Sequence, residues 1–491
     1  MKYILSIDQS TQGTKALLLD DTGRLLCRRD AAHQQIISDA GWVSHDPMEI
    51  WHSTQEAVRL LLESSGIDAE KIVAVGISNQ RETSVCWDKT TAMPIAHAIV
   101  WQCGRAKDVC QRVVDAGWSE QVRKATGIPI SPFFPASKFA WLVENTPGAK
   151  QKAARHALCF GTIDAWLVYC MTDGKSYKTD YSNASRTQLF NIHTLSWDPQ
   201  ICAAFGLDAA DLPEITDSDA CFGETDLGGI LPKKVPILGV LGDSHAALFG
   251  QGCLKEGMAK ATYGTGSSIM MNIGTTPVES QNGLVTSLAW KYRGQVNYVM
   301  EGNLNYTGAV IRWLEKDLGL VASAAQTQQL AQSAHPEDTT YLVPAFTGLG
   351  APYLDTEATA MICGMTRLTG KAELVKAGLD CIAYQITDIV KAMEQDTAAQ
   401  LTQLRCDGGP TRNSYLMQLQ SDLLQAQVLI PACEELSGIG AGYLAGITAG
   451  VYNEDIFHTM QIHAYSPAMP EQVRQKKYSG WKKAIQLTLG K

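Results

Sequence analysis

The sequence predicts an α/β protein built as two domains that face each other across a cleft. Three observations carry that expectation. The chain has 491 residues, and a single hydrophobic core stops growing at roughly 250–300 residues. Strand-length apolar runs alternate with helix-length amphipathic runs, which is the pattern of α/β architecture. Each half also opens with the same device: strand, polar glycine/threonine turn, strand. The break falls near 250, after "ALFGQG", which divides the chain into domains 1–250 and 251–491. No shorter repeat is present, so a solenoid is excluded.

The elements follow in order. Residues 2–7, "KYILSI", read as a strand, "DQSTQG" as a turn and "TKALLLD" as a second strand; "DDTG" then turns into "RLLCRRD". This is a β-meander whose first turn is polar and carries a glycine. Asp46-Pro47 reads as an N-cap with proline in the first helical turn. Ile50, Val58, Leu61 and Leu62 lie on or near one face of the helix that follows. "KIVAVGIS" (71–78) is the next strand. In the second half, "MAKATYGTGSSIMMNIG" (258–274) is strand, glycine turn, strand. "GQVNYVMEG" (294–302) is a strand and 306–317 read as a helix. "DTTYLVPAF" (338–346) is a strand entering a glycine loop, 371–395 a long amphipathic helix, and "LRCDGG" (404–409) a strand ending at another glycine turn.

Composition removes several classes. The formal net charge of -9 argues against a nucleic-acid binder. The apolar run of "MKYILSIDQS" is too short for a signal peptide, and no stretch is long and apolar enough to span a bilayer. The 13 cysteines form an odd, scattered set without a CxxC pair. That points to reduced thiols in a cytoplasmic protein and to no structural metal.

Five constellations carry chemistry. "DQSTQGTK" (8–15) places an acid at a strand end, then hydroxyls, a glycine and Lys15. A tight turn of this kind cradles an anion with backbone N–H groups, and Asp8 is placed to hold Mg²⁺ near phosphates. A hairpin with a polar tip is the competing interpretation at this point. "YGTGSS" (263–268) is the equivalent turn of the second half, and "DGGPTRN" (407–413) lets a flat ligand approach the backbone. Two such cradles facing one another would clamp a phosphate chain. On the other side, Arg81 and Glu82 follow the apolar run "IVAVGI", and Trp101 ends "AIVW". A buried charged pair and an indole face suit a sugar or polyol, although adjacent opposite charges are more often solvated and a tryptophan more often core. Finally, "VPILGVLGDSHAAL" (235–248) ends an apolar strand on Asp243. A carboxylate at a strand end can take a proton from an attacking hydroxyl while a phosphoryl group is held in line with it.

Longer stretches give the set a family. "GISNQRET", "AIVWQC", "TYGTGS", "VPAFTGLGAPY" and "FFPASKFAWLVEN" (133–145) resemble the FGGY carbohydrate kinases, and within them the glycerol-kinase group, over essentially the whole chain. A second signature, around 360–380, fits except at Gly378. The resemblance implies two RNase H-like domains of the actin/hexokinase/Hsp70 (ASKHA) type around a deep cleft, use of ATP and Mg²⁺, and a homodimer or homotetramer. Carried over by position, it implies Thr11, Gln12, Gly13 and Lys15 at the nucleotide phosphates, joined by Thr265 and Gly308 with Arg312 nearby. It implies Gly409 and Asn413 at the adenosine, and Asp8 and Asp243 at the metal. Arg81, Glu82, Trp101, Phe133, Asp243 and Ser244 would line the acceptor, with Asp243 as general base.

The chain departs from that group at four positions. Phe133 stands where the glycerol-kinase group has tyrosine, Ser244 where it has glutamine, Ser268 where it has phenylalanine and Gly104 where it has arginine. These changes imply a larger pocket, more polar on one side. Sites that hydrogen-bond a hydroxyl discriminate by ~10⁴–10⁵, so the expected acceptor is a polyol or ketose longer than glycerol; glycerol itself is the alternative. From another class, a nucleotide-driven clamp would have no need of Arg81, Glu82, Trp101 and Asp243.

Overall fold

The computed structural model describes residues 1–490. Two mixed sheets organise it. In the first, strand Tyr3–Gln9 is central, antiparallel to its hairpin partner Gly13–Leu19 and parallel to Ile72–Asn79. Leu25–Ala32 extends the hairpin side; Val235–Gly242 and then Gly223–Thr225 extend the other. The second sheet repeats the plan. Met258–Tyr263 is central, antiparallel to Ser267–Asn272 and parallel to Gln403–Asp407. Gln295–Leu304 and Val285–Tyr292 continue one side, Gln427–Pro431 and Ile462–Tyr465 the other. Strand directions match across the six positions the two sheets share, the second sheet adding Val285–Tyr292 at one edge, and this makes a pair of RNase H-like α/β domains.

Local chemistry accounts for the elements. Tyr3–Gln9 is buried at every position, as a central strand covered on both faces requires. Asp46 accepts a hydrogen bond from the Met48 N–H and proline follows it, which starts helix Pro47–Ser65. The segment expected as one helix over 306–317 is instead helix Gly308–Arg312 running into a π-turn, Trp313–Asp317. All 13 cysteines are free thiols. No helix among the described residues is long and apolar enough to cross a membrane.

One helix joins the two halves. Leu436–Thr448 comes late in the chain but packs on the first sheet and on helix Asp243–Gly250. The approach is so close that a Cβ on Gly440 would lie 1.8 Å from the Ala246 carbonyl oxygen. From the sheet side, a Cβ on Gly76 would lie 2.3 Å from the Ala441 oxygen. The apolar cluster around this helix takes Ile4, Leu17 and Leu241 from the first sheet and Met270, Trp290 and Val299 from the second.

Register then sets the site. Gly242 lies opposite Asn79, and Asn79 opposite Gln9. Three strands therefore end level, and the residues just beyond them emerge together. Strand C-terminal ends are where α/β sheets hold ligands.

Candidate active site

Asp243 is the first residue of helix Asp243–Gly250, directly after strand Val235–Gly242. Its Oδ1 accepts from the Ser244 N–H at 2.6 Å and from Arg81 Nε at 3.1 Å. Among the described residues no group binds Oδ2. The side chain is 40% exposed, and it faces a cleft of about 730 Å³. One carboxylate oxygen is fixed and the other is open to the cleft, which is the arrangement a general base needs.

Arg81 and Glu82 end strand Ile72–Asn79 and its turn, yet they do not pair with each other. Arg81 donates from Nη1 and Nη2 to both oxygens of Glu301, at 3.0 and 3.1 Å. Nη2 also reaches Ser244 Oγ at 3.3 Å. Four of its five N–H donors are thus engaged, fewer than expected remaining for an acceptor. Glu82 accepts from Arg186 Nε at 2.6 Å, and Arg186 Nη1 lies 3.1 Å from Glu301. Glu301 comes from strand Gln295–Leu304 of the second sheet, so a buried Arg–Glu–Arg triad crosses between domains at the cleft floor. Burial alone would raise the Glu301 pKa; Arg81 and Arg186 hold it well below 4.5. Burial likewise opposes the Arg81 charge, but Glu301, Glu82 and Asp243 more than offset it.

Trp101 and Phe133 pack edge to face, 5.6 Å between ring centres, along the wall. Trp101 Nε1 donates to Thr11 Oγ1 at 3.0 Å, tying this wall to the first hairpin turn. Thr11, Arg81, Glu82, Trp101, Phe133, Asp243 and Ser244 all line the cleft.

The remaining expected residues are not among those that line this cleft. Asp8 lies opposite Lys15 in the hairpin and opposite Ser78 across the parallel pair. It accepts from Ser78 Oγ at 2.9 Å, with Lys15 Nζ 3.8 Å away. Burial pushes the Asp8 pKa to about 6; Lys15 and Ser78 work against the rise, and Asp243 and Glu435 add to it. Lys15 itself pairs with Glu435 at 2.8 Å. Gly13 closes the hairpin where a Cβ would lie 2.6 Å from the Ala31 oxygen, and the carbonyl of exposed Gln12 accepts from the His33 N–H at 3.4 Å.

In the second domain, the Gly308 N–H donates to Gly264 O and the Ala309 N–H to Thr265 O, both at 3.0 Å, so Thr265 and Gly308 are adjacent. Arg312 ends that short helix on the exposed side. Gly408 is pressed against Tyr263, which sets the turn bearing Gly409 beside the second glycine hairpin. Asn413 caps helix Ser414–Leu424 and donates to Thr327 Oγ1 at 3.1 Å.

Residues 3–250 match the model of the FGGY family of carbohydrate kinases, N-terminal domain, and residues 259–449 that family's C-terminal domain. The chain belongs to the FGGY family of carbohydrate kinases. This FGGY chain is 43% identical over 488 residues to the glycerol kinase of Caldanaerobacter subterraneus, covering 99% of this chain and 98% of that one. It is 42% identical to glycerol kinase 2 of Thermotoga maritima over 100% of this chain and 99% of that one. The crystal structure of Plasmodium falciparum glycerol kinase with ADP superposes with a TM-score of 0.93 at 34% identity, covering 100% and 98%. A ligand-bound xylulose kinase from Lactobacillus acidophilus, TM-score 0.88 at 21% identity over 100% and 99%, shares the fold. Like its family, this FGGY chain is an ATP-dependent carbohydrate kinase that transfers a phosphoryl group to an alcohol.

Sequence reasoning missed Glu301, Arg186 and Lys260 in this FGGY site. Lys260 is buried, bonds Thr262 Oγ1 at 3.0 Å and lines the cleft. His245 is buried behind Asp243; burial, and then Arg81, hold its pKa well below 6.5. Neither ring nitrogen has a partner among the described residues.

Proposed function

We propose that this FGGY kinase phosphorylates a small polyol, with glycerol as the acceptor and Asp243 as the base. The observation that carries the mechanism is the open Oδ2 of Asp243 in a cleft flanked by two glycine hairpins. The acceptor oxygen attacks the γ-phosphorus of ATP, its proton passes to Asp243 Oδ2, and the bond to the β-phosphate oxygen breaks to release ADP. Trp101 and Phe133 would take the carbon chain, and Arg81 and Glu82 the hydroxyls. The turns bearing Thr11, Gln12, Gly13, Lys15, Thr265 and Gly308 would hold the phosphates, with Arg312 alongside. Gly409 and Asn413 would flank the adenosine.

The donor chemistry fits Mg²⁺. Asp8 and Asp243 are hard oxygen donors; burial raises the Asp8 pKa and the Asp243 charge adds to the rise, which a cation would counter. Asp8 and Asp243 would hold the ion, directly or through water, and bound there it neutralises phosphate charge.

Glycerol is favoured because full-length relatives at 42–43% identity bear that activity in their names. One observation keeps a longer acceptor as the second candidate: small residues, Ser244 and Ser268, line one side of the cleft. Their hydroxyls, however, are drawn toward the Arg81–Glu301 pair, each at 3.3 Å, and so are partly engaged before any acceptor arrives. A kcat/KM panel over glycerol and longer polyols and ketoses separates the two. Glycerol is expected to give the highest value. A longer acceptor exceeding it by roughly ten-fold, about 1.4 kcal/mol in transition-state binding, would replace it.

A further inference from the structure

Lys138 is 0% exposed, in the first turn of helix Pro135–Asn145. Both features are unfavourable: a buried ammonium loses its hydration, and a cation near a helix N-terminus opposes the helix dipole. No carboxylate pairs with it among the described residues. Its Nζ instead donates to three backbone carbonyls: Phe133 at 2.6 Å, Glu82 at 3.1 Å and Trp101 at 3.3 Å. These carbonyls come from three separate segments of the chain. Each belongs to a residue whose side chain lines the cleft.

One of the three is strained. Glu82 has φ of +60°, and the Thr83 N–H donates to Arg81 O at 2.8 Å. An i→i+2 hydrogen bond around a residue of positive φ is a γ-turn of the costly kind. It persists only where its surroundings hold it, and Lys138 binds its carbonyl.

We propose that Lys138 is a positioning residue for acceptor binding: its ammonium draws the carbonyls of Glu82, Trp101 and Phe133 to one point and sets the spacing of the three side chains they present. Lys138 does not reach the cleft, so its effect is on acceptor fit rather than on the nucleotide. Because this depends on the acceptor site proposed above, the readout separates the two substrates.

Three donors match three carbonyls only while the side chain is protonated; a neutral amine has two N–H groups. Burial lowers the pKa to about 7, with Glu82, Cys103 and Cys110 opposing the fall and Arg105 adding to it. The wild-type protein therefore supplies its own test.

The experiment is steady-state kinetics of the full chain with glycerol and ATP varied separately, for wild type, Lys138→Met and Lys138→Arg, with circular dichroism to confirm folding. Lys138→Met is expected to raise the acceptor KM by roughly ten-fold or more, with the ATP KM within about two-fold. Lys138→Arg, which keeps the donors, is expected to fall between. A purely structural lysine would lower the unfolding temperature and leave both KM values in place, and that outcome would overturn the proposal. If Lys138→Met does not fold, the wild-type acceptor KM is followed across neutral pH. A rise above about pH 7 with a flat ATP KM supports the role, and parallel or absent changes reject it. If the wild-type protein phosphorylates neither glycerol nor longer polyols, the acceptor site itself is rejected, and the role of Lys138 with it.

Discussion

Asp243→Asn is expected to lower kcat by roughly 10²–10⁴-fold, the usual contribution of a general base, while ATP binding is retained. Asparagine keeps the shape of the side chain, and its Oδ1 can still accept from Arg81 Nε and the Ser244 N–H, the two bonds that orient Asp243. What it loses is the open oxygen: an amide nitrogen at the Oδ2 position donates and cannot take a proton. Because both orienting bonds survive, the acceptor KM should move little. A calorimetric titration with ATP and a steady-state assay on the same preparation check both halves. A variant turning over at near wild-type rate would remove Asp243 from the chemistry.

The second large effect is expected at Glu301. Glu301→Gln leaves Arg81 and Arg186 buried with one shared anion fewer, and removing one partner of a buried ion pair costs about 3–5 kcal/mol. The triad joins strand Gln295–Leu304 to the turn at Arg81 and to Arg186, so its loss should loosen the cleft floor as well as the fold. The midpoint of urea unfolding should fall, and the acceptor KM should rise. The pH dependence has a definite sign. The Glu301 pKa is depressed from 4.5 in the folded protein, so its stabilisation is fully present above about pH 4.5 and is lost as pH falls through the depressed value. Wild type should therefore lose more stability on acidification than Glu301→Gln. Equal urea midpoints for the two proteins at neutral pH would show that the triad contributes nothing net.

Much of this architecture is legible in the residues. Strand Tyr3–Gln9, the Asp46-Pro47 helix start and the paired glycine hairpins all follow from local patterns, because each is set by near neighbours. Asp243 is legible for the same reason: a carboxylate directly after an apolar strand has few other uses. Helix Leu436–Thr448 is not legible from propensity. Its sequence, "LSGIGAGYLAGIT", carries four glycines, each unfavourable in a helix by roughly 1 kcal/mol. Tertiary packing overrides that cost, since only glycine allows the backbone at 440 to approach Ala246 so closely.

The partners of Arg81 and Glu82 are hidden for a different reason. Glu301 lies 220 residues from Arg81 inside what reads as an ordinary strand, and Arg186 lies 104 residues from Glu82. Neighbours in sequence suggested one charged pair, whereas the fold supplies each member with a distant partner. Lys138 is obscured by type: a lysine on an amphipathic helix is normally solvated, and its burial depends on three loops that meet only in the folded chain.

The central claim is that ATP cleavage in this cleft is coupled to a hydroxyl acceptor bound beside Asp243. ADP release measured with and without glycerol or longer polyols tests it most directly. The expected result is negligible ADP release from ATP alone and a large, saturable increase on adding the acceptor, with phosphorylated polyol formed in equal amount. ADP released at the same rate whether or not a polyol is present would contradict it and would point to a nucleotide-driven clamp.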